Sequence, residues 1–240
     1  GIDLSPSISL TQLLQRIEAE TALPRLRLSS LEPMDIDDDF IEFIAHSHIF
    51  CPHLHIPIQA ANDRILKLMN RPYSVAEFAN MLNRIRQKRP DILLGTDMIA
   101  GFPGETDADF DEALQNLTSL PISLFHIFPY SDRPGTAAFK QQPKVPKPVI
   151  KKRVRLLMEY AHQKRLELFE QLCDEPRPLK ILLERQNNGY WQGFSENYLP
   201  CYWQGSGKIN QIIDGQPKTI YQQDNDLGLL ITRLEEDLYA

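Results

Sequence analysis

Clustered cysteine is what this sequence most plainly lacks. Its 240 residues hold three cysteines, Cys51, Cys173 and Cys201, far apart and with no Cys-x-x-Cys or Cys-x-x-x-Cys pair. Neither a zinc knuckle nor an iron–sulfur cluster can be built from ligands so placed, and no metal site is expected. An odd, unpatterned count points to free thiols in a reducing, cytoplasmic setting. No stretch approaches the roughly 18 consecutive apolar residues of a membrane span, so no membrane partner is expected. Gly1-Ile2-Asp3-Leu4 lacks the basic opening of a signal peptide, and without an initiator Met the chain reads as one that begins mid-protein. There is no excess of positive charge: the formal net charge of −6 argues against wholesale coating of nucleic acid, while leaving room for a local basic patch. Hydrophobic content of 42% and charged content of 24% exclude a disordered tail, a collagen-like fibre and a disulfide-stapled miniprotein.

What is present is alternation of helix and strand. Leu10, Leu13, Leu14 and Ile17 recur at helical spacing over 9–20. Residues 25–30 alternate polar and apolar as a short strand. The acids from Asp35 to Asp39 suit the start of a helix carrying Phe40, Ile41, Phe43 and Ile44. The next strand, His53-Leu54-His55-Ile56-Pro57-Ile58-Gln59, is apolar at even positions and polar or Pro at odd ones. One of its faces therefore meets an apolar layer and the other something wet or liganded. A helical stretch covers 63–69, and Ser74-Val75-Ala76-Glu77 is a capping box opening another helix. A third strand, 92–99, ends in Gly101-Phe102-Pro103-Gly104-Glu105, with Thr106 placed to cap the following helix. A fourth strand over 122–130 runs into Ser131-Asp132-Arg133-Pro134-Gly135-Thr136, and a Pro-rich linker leads to a long helix over about 149–172.

This pattern predicts βαβ units and a parallel sheet over 1–172. Four strands are too few to close an eight-fold barrel and leave bare edges, which missing N-terminal sequence or a partner chain would cover. Asp174-Glu175-Pro176-Arg177-Pro178 reads as a boundary. Beyond it, turn signals at Asn187-Asn188-Gly189, Gly205-Ser206-Gly207 and Asp214-Gly215 separate short apolar runs, as in a small all-β barrel or sandwich over 176–240.

Function in parallel α/β folds sits where strands end, and four strand ends here are polar or turn-rich. The Gly101–Thr106 loop precedes a helix N-terminus, so it reads either as an anion-binding turn or as a tight turn needing Gly. His53 and His55 share a strand face with Gln59 as bases, metal ligands or hydrogen-bonded interior histidines; with no third ligand in reach, metal has little support. Asp97 and Glu105 form a carboxylate pair or serve separately. Lys144, Lys147, Lys151, Lys152, Arg153, Arg155, Lys164 and Arg165 concentrate positive charge on the long helix, as a polyphosphate-binding face or simply a solvated one. In the C-terminal region Tyr190, Trp191, Tyr198, Tyr202 and Trp203 are either stacking platforms for RNA or core.

Five segments in this order resemble one family. They are Arg25-Leu-Arg-Leu-Ser-Ser-Leu-Glu-Pro33, His53-Leu-His-Ile-Pro-Ile-Gln59, Leu66-Lys-Leu-Met-Asn-Arg-Pro-Tyr73, Thr96-Asp-Met-Ile-Ala-Gly-Phe-Pro-Gly-Glu-Thr106 and His126-Ile-Phe-Pro-Tyr-Ser-Asp-Arg-Pro-Gly-Thr136. Together they are similar to the radical S-adenosylmethionine methylthiotransferases. Residues from about 176, with Gly193-Phe-Ser-Glu-Asn-Tyr198, resemble that family's C-terminal TRAM domain, a small RNA-binding β-barrel. Ser-Ser-x-Glu-Pro and His-x-Phe-Pro-Tyr-Ser look like the branch acting on N6-threonylcarbamoyladenosine at tRNA position 37.

The resemblance implies sulfur insertion and methylation at C2 of that base, with S-adenosylmethionine and [4Fe-4S] clusters as cofactors and tRNA as partner. The fold it implies is a partial, four-stranded radical-SAM parallel β/α barrel followed by a TRAM-like barrel. The related isopentenyladenosine branch fits less well at those two motifs. Cofactor- and substrate-binding positions carried over by motif are Ser29, Ser30, Glu32, His55, Gln59, Arg71, Asp97, Gly101, Phe102, Glu105, Tyr130 and Ser131. Ser29 and Ser30 would hydrogen-bond the cofactor, the backbone at Gly101 and Phe102 would pack on its adenine, and Gln59 and Arg71 would orient substrate. Lys151, Lys152 and Arg155 are the expected RNA-binding residues.

The sequence also departs from the family. Its Cys-x-x-x-Cys-x-x-Cys loop and N-terminal cysteine domain are absent, so the chain reads as a fragment, split-gene half or truncation. By itself it is expected to bind no cluster and to be inactive, with a non-catalytic tRNA-binding remnant as the alternative. Where the family has Gln-Ser-Gly-Ser, this chain has Gln59-Ala60-Ala61-Asn62, an expected weakening of the ligand rim.

Overall fold

Alternating apolar residues set both faces of a short parallel sheet. The structure, a computed structural model, describes residues 8–223 and 226–233, so the extreme ends of both expected domains lie outside the described residues. The chain divides into two compact units, Gly1–His162 and Gln163–Ala240. That division falls inside the long helix.

In the first unit, helices α1 (Leu10–Glu20) and α2 (Asp38–His46) precede strand β1 (His53–His55). Helices α3 (Asp63–Leu68) and α4 (Val75–Lys88) lead to β2 (Leu93–Ala100), and α5 (Asp107–Ser119) to β3 (Leu124–Pro129). A short α6 (Ala137–Lys140) and the long α7 (Lys147–Asp174) follow. The acids before α2 act as expected, with Asp37 accepting from the Phe40 amide at 2.8 Å. The capping box at Ser74 and Glu77 forms, and so do two more, at Ser9 with Gln12 and at Thr106 with Asp109.

The sheet order is β1-β2-β3, all parallel. The first expected strand is not a ladder: residues 25–30 are held by two isolated bridges, Leu26 to Phe50 and Ser30 to His55. Between those bridges the chain takes four steps on one side (26 to 30) and five on the other (50 to 55). The longer side contains Pro52, which has no N–H to donate and breaks the register. A second slip follows Pro57, where His55 opposes Gly95 but Gln59 opposes Met98. There the Thr96 hydroxyl substitutes for missing ladder bonds, accepting from the Ile58 amide at 2.9 Å and donating to the Ile56 carbonyl at 2.7 Å.

Leu54, Ile56, Ile58, Leu94, Met98 and Ala100 bury one face of the sheet against Phe40 and Ile44 of α2, Phe78 and Leu82 of α4, Phe110 and Leu117 of α5 and Leu157 of α7. The other face carries His53, His55, Gly95, Asp97, Leu124 and His126.

The second unit contains β4 (Leu179–Asn187), β5 (Tyr190–Ser195), β6 (Pro200–Trp203), β7 (Ile212–Gln223) and β8 (Asp226–Arg233). They close as a barrel in the order β4-β5-β6-β8-β7, with only the β6–β8 pair parallel among the described ladders. Asn188 and Gly189 both take positive φ, the pairing a tight hairpin turn requires. Gly193 permits close strand packing, since a Cβ there would stand 1.9 Å from the Leu182 carbonyl oxygen. Trp191, Tyr202 and Trp203 are buried, so these three of the candidate stacking aromatics are core; Tyr198 is exposed and stacks on Phe194 at 4.7 Å.

Candidate functional site

Register, more than motif, assembles the site. Ser30 opposes His55, Gly95 lies between His55 and Leu124, and Asp97 opposes His126. By the pleat, His55, Asp97 and His126 all project from the sheet face turned away from the helices. His55 Nε2 lies 2.8 Å from Asp97 Oδ1, and His126 Nδ1 lies 3.2 Å from the same oxygen. The two imidazoles stack at 4.8 Å between centroids. One ligand atom from each of the three residues falls within 4.8 Å of the others. Gly95 makes room for this arrangement, since a Cβ there would stand 3.1 Å from His55 Nδ1.

Exposure grades across the row, with side chains 10% exposed at His55, 22% at Asp97 and 64% at His126. Burial lowers the pKa of His55 although Asp97 opposes the shift. Burial pushes His53 down to about 3, so it is a neutral interior imidazole. The sequence pattern offers His53 and His55 without a third partner. Asp97 and His126 supply it from neighbouring strands, 42 and 71 residues on from His55 by numbering. Sequence reasoning misses His126 as a site residue, though its place in the alternation of residues 122–130 puts it on the same parity as Leu124 and Phe128.

The Gly101–Thr106 loop is closed on itself. The Glu105 carboxylate accepts from the Gly101 amide and, at 3.0 Å, from the Phe102 amide. Arg153 approaches that carboxylate at 3.4 Å and reaches Asp107 at 2.7 Å. Burial nevertheless raises the Glu105 pKa, outweighing Arg153 and the two amides. The pair of amides expected to face an anion or an adenine is thus filled by the chain's own carboxylate. Phe102 is buried, and its ring meets Tyr130 edge-on at 5.4 Å. Gly101 has φ +83°, and a Cβ there would stand 2.4 Å from Ile150. Asp97 and Glu105 therefore serve separately.

Other predicted positions form smaller groups. Glu32 pairs with Arg71 at 2.6 Å. Gln59 takes φ 69°, an uncommon conformation for a side-chain-bearing residue, at the β1 end where its amide bonds the Asp97 carbonyl. Tyr130 donates to Asp132 at 2.9 Å and lies under Lys144. Ser29, Ser30 and Ser131 are exposed. Gln59, Gly101 and Tyr130 follow the C-terminal ends of β1, β2 and β3, three adjoining strand ends.

The substitutions at Ala60 and Ala61 do not reach an open rim: both are buried among apolar side chains. Asn62 caps α3 by accepting from the Ile65 amide at 3.0 Å. On α7, Lys151, Lys152 and Arg155 are exposed, but Arg153 is buried against Glu105, Asp107 and the Phe110 ring and leaves the basic face. None of the three cysteines is in a disulfide, Cys51 and Cys201 are buried, and their spacing offers no cluster-binding set. Among the described residues no helix is long and apolar enough to cross a membrane.

Residues 5–117 match the model of the Radical SAM superfamily. The threonylcarbamoyladenosine tRNA methylthiotransferase MtaB of Aquifex aeolicus is 36% identical over 203 residues, covering 85% of this chain and 48% of that protein. The tRNA-2-methylthio-N(6)-dimethylallyladenosine synthase of Endomicrobium trichonymphae is 31% identical over 198 residues, covering 82% and 47%. The chain thus spans about half the length of these relatives. Among solved structures, coproporphyrinogen III oxidase of Escherichia coli superposes with a TM-score of 0.50 at 19% identity, over 58% of this chain and 32% of that one, a likeness of fold alone.

Proposed function

The chain belongs to the radical S-adenosylmethionine methylthiotransferase family, and on that premise we propose that it supplies the substrate-facing sheet and RNA-binding barrel of a tRNA methylthiotransferase. The reaction is sulfur insertion and methylation at C2 of N6-threonylcarbamoyladenosine-37. The observation that carries this reading is the polar row His55–Asp97–His126 on the sheet face opposite the helices, beside three adjoining strand ends. His126-Ile-Phe-Pro-Tyr-Ser131 favours the threonylcarbamoyl branch. Relatives named for dimethylallyladenosine support the second reading, the isopentenyladenosine branch.

A [4Fe-4S] cluster in this family supplies the electron that cleaves S-adenosylmethionine. The three cysteines here do not fit that group, so the thiolates come from outside these 240 residues and the chain alone is inactive. S-adenosylmethionine and the target base would be held on the polar face. There Ser29 and Ser30 offer hydroxyls beside β1, Asp97 and the histidines orient polar groups, and the Glu32–Arg71 pair and Gln59 border the strand ends. Glu105 keeps the Gly101 loop rigid from within. Lys151, Lys152 and Arg155 contact RNA phosphates, and the closed five-stranded barrel is the TRAM-like RNA-binding module.

The test combines this chain with a cluster-bearing polypeptide carrying both cysteine sets and assays methylthio-adenosine in tRNA by mass spectrometry, using threonylcarbamoylated and isopentenylated tRNA in parallel. Product on the first substrate supports the reading, and product only on the second moves the chain to the other branch. A folded, cluster-loaded complex that leaves both unmodified overturns it. The isolated chain should bind tRNA in a salt-dependent way. Neutralising Lys151, Lys152 and Arg155 should lower the slope of log K against log salt by up to about 2–3, at roughly 0.7–0.9 for each phosphate no longer neutralised.

A further inference from the structure

We propose that His55, Asp97 and His126 form a binding site for a divalent first-row transition-metal ion, independent of any iron–sulfur cluster. Two imidazole nitrogens and one carboxylate is a donor set that suits such ions, and three protein ligands leave a coordination position open. Metal–nitrogen and metal–oxygen bonds of about 2.0–2.2 Å in tetrahedral geometry put donor atoms about 3.3 Å apart. Here two of the contacts measure 2.8 and 3.2 Å, and all three donor atoms lie within 4.8 Å of one another.

The residues come from three adjacent parallel strands whose register fixes their spacing. The row is held from behind: Gly95 leaves space for the His55 ring, and Met98 and Leu94 anchor β2 in the core on the opposite face. The metal takes the place of the shared protons that hold both imidazoles to Asp97. The open position faces away from the helices, toward solvent at the exposed His126, and accepts water or an anionic oxygen of a substrate.

The arrangement differs from the other His–carboxylate contact among the described residues, His46 with Glu42. That pair is 3.7 Å apart on the exposed face of α2, and among the described residues has no third ligand residue grouped with it. It serves as the control.

The experiment titrates the full chain, purified with chelator, with Co²⁺ and Zn²⁺, reading Co²⁺ ligand-field absorption and calorimetric stoichiometry. One ion per chain is expected, with affinity falling at least tenfold in His126→Ala and Asp97→Asn and unchanged in His46→Ala. Far-UV circular dichroism checks each variant's fold. Because His126 is exposed, its variant stays folded and decides the matter if Asp97→Asn does not. The proposal is overturned by absence of saturable binding, by binding unchanged in His126→Ala, or by binding that disappears with His46→Ala.

Discussion

The two faces of the β1–β2–β3 sheet share a backbone and differ in nearly everything else. On one, Leu54, Ile56, Ile58, Leu94, Met98 and Ala100 are almost wholly removed from water and packed against four helices. On the other, one residue away in each strand, lie two buried histidines, a half-buried aspartate and an exposed histidine. The first face holds the fold together through apolar burial. The second carries the polar row His55–Asp97–His126 on which the proposed function rests. On the proposed function, strand parity separates structural from functional residues, and substitutions one position apart should have opposite signatures.

The largest effect is expected where burial and charge combine. Arg153 and Glu105 have side chains 5% and 7% exposed, so Arg153→Met leaves a buried carboxylate without its cation and should cost about 3–5 kcal/mol in chemical denaturation. Leu94→Ala, on the apolar face, should cost about 2–5 kcal/mol by the same measurement. If His126→Ala proved equally costly, the division between the two faces would fail. The pH dependence sharpens the contrast. His53 is held neutral, its pKa lowered from 6.5 to about 3, so protonation favours the unfolded chain. Its contribution to stability is complete above pH 6.5 and is lost as pH falls toward about 3. His53→Gln should flatten that part of the stability–pH curve. Glu105, with a raised pKa, has the opposite sign: its contribution is complete below 4.5 and declines as pH rises through the raised value, a component that Glu105→Gln removes. The smallest effect belongs to the exposed His126, whose replacement by Ala should change stability by no more than about 0.5 kcal/mol.

Much of the fold was legible because its signals are local. The capping box at Ser74, the acids before α2 and the Thr106 cap of α5 depend on residues three or four apart, and each of these helices formed where it was expected. The strand over 25–30 was legible as alternation but not as a ladder, because Pro52 lies on its pairing partner and register is a property of two segments. The site was readable in part. His55 and Asp97 stand out in their motifs, but their contact with His126 depends on the β2–β3 register. Glu105 and Arg153 are separated by 48 residues, so no local pattern shows that one fills the amides of the glycine loop and the other belongs to the core.

Asp97→Asn tests the separation of faces most directly, measured in the complemented tRNA assay alongside the denaturation midpoint of the same preparation. Methylthio-adenosine formation should fall at least tenfold while the midpoint stays within the error of the unaltered chain. Unchanged product formation per folded molecule, or a midpoint shift as large as that of Leu94→Ala, would contradict it.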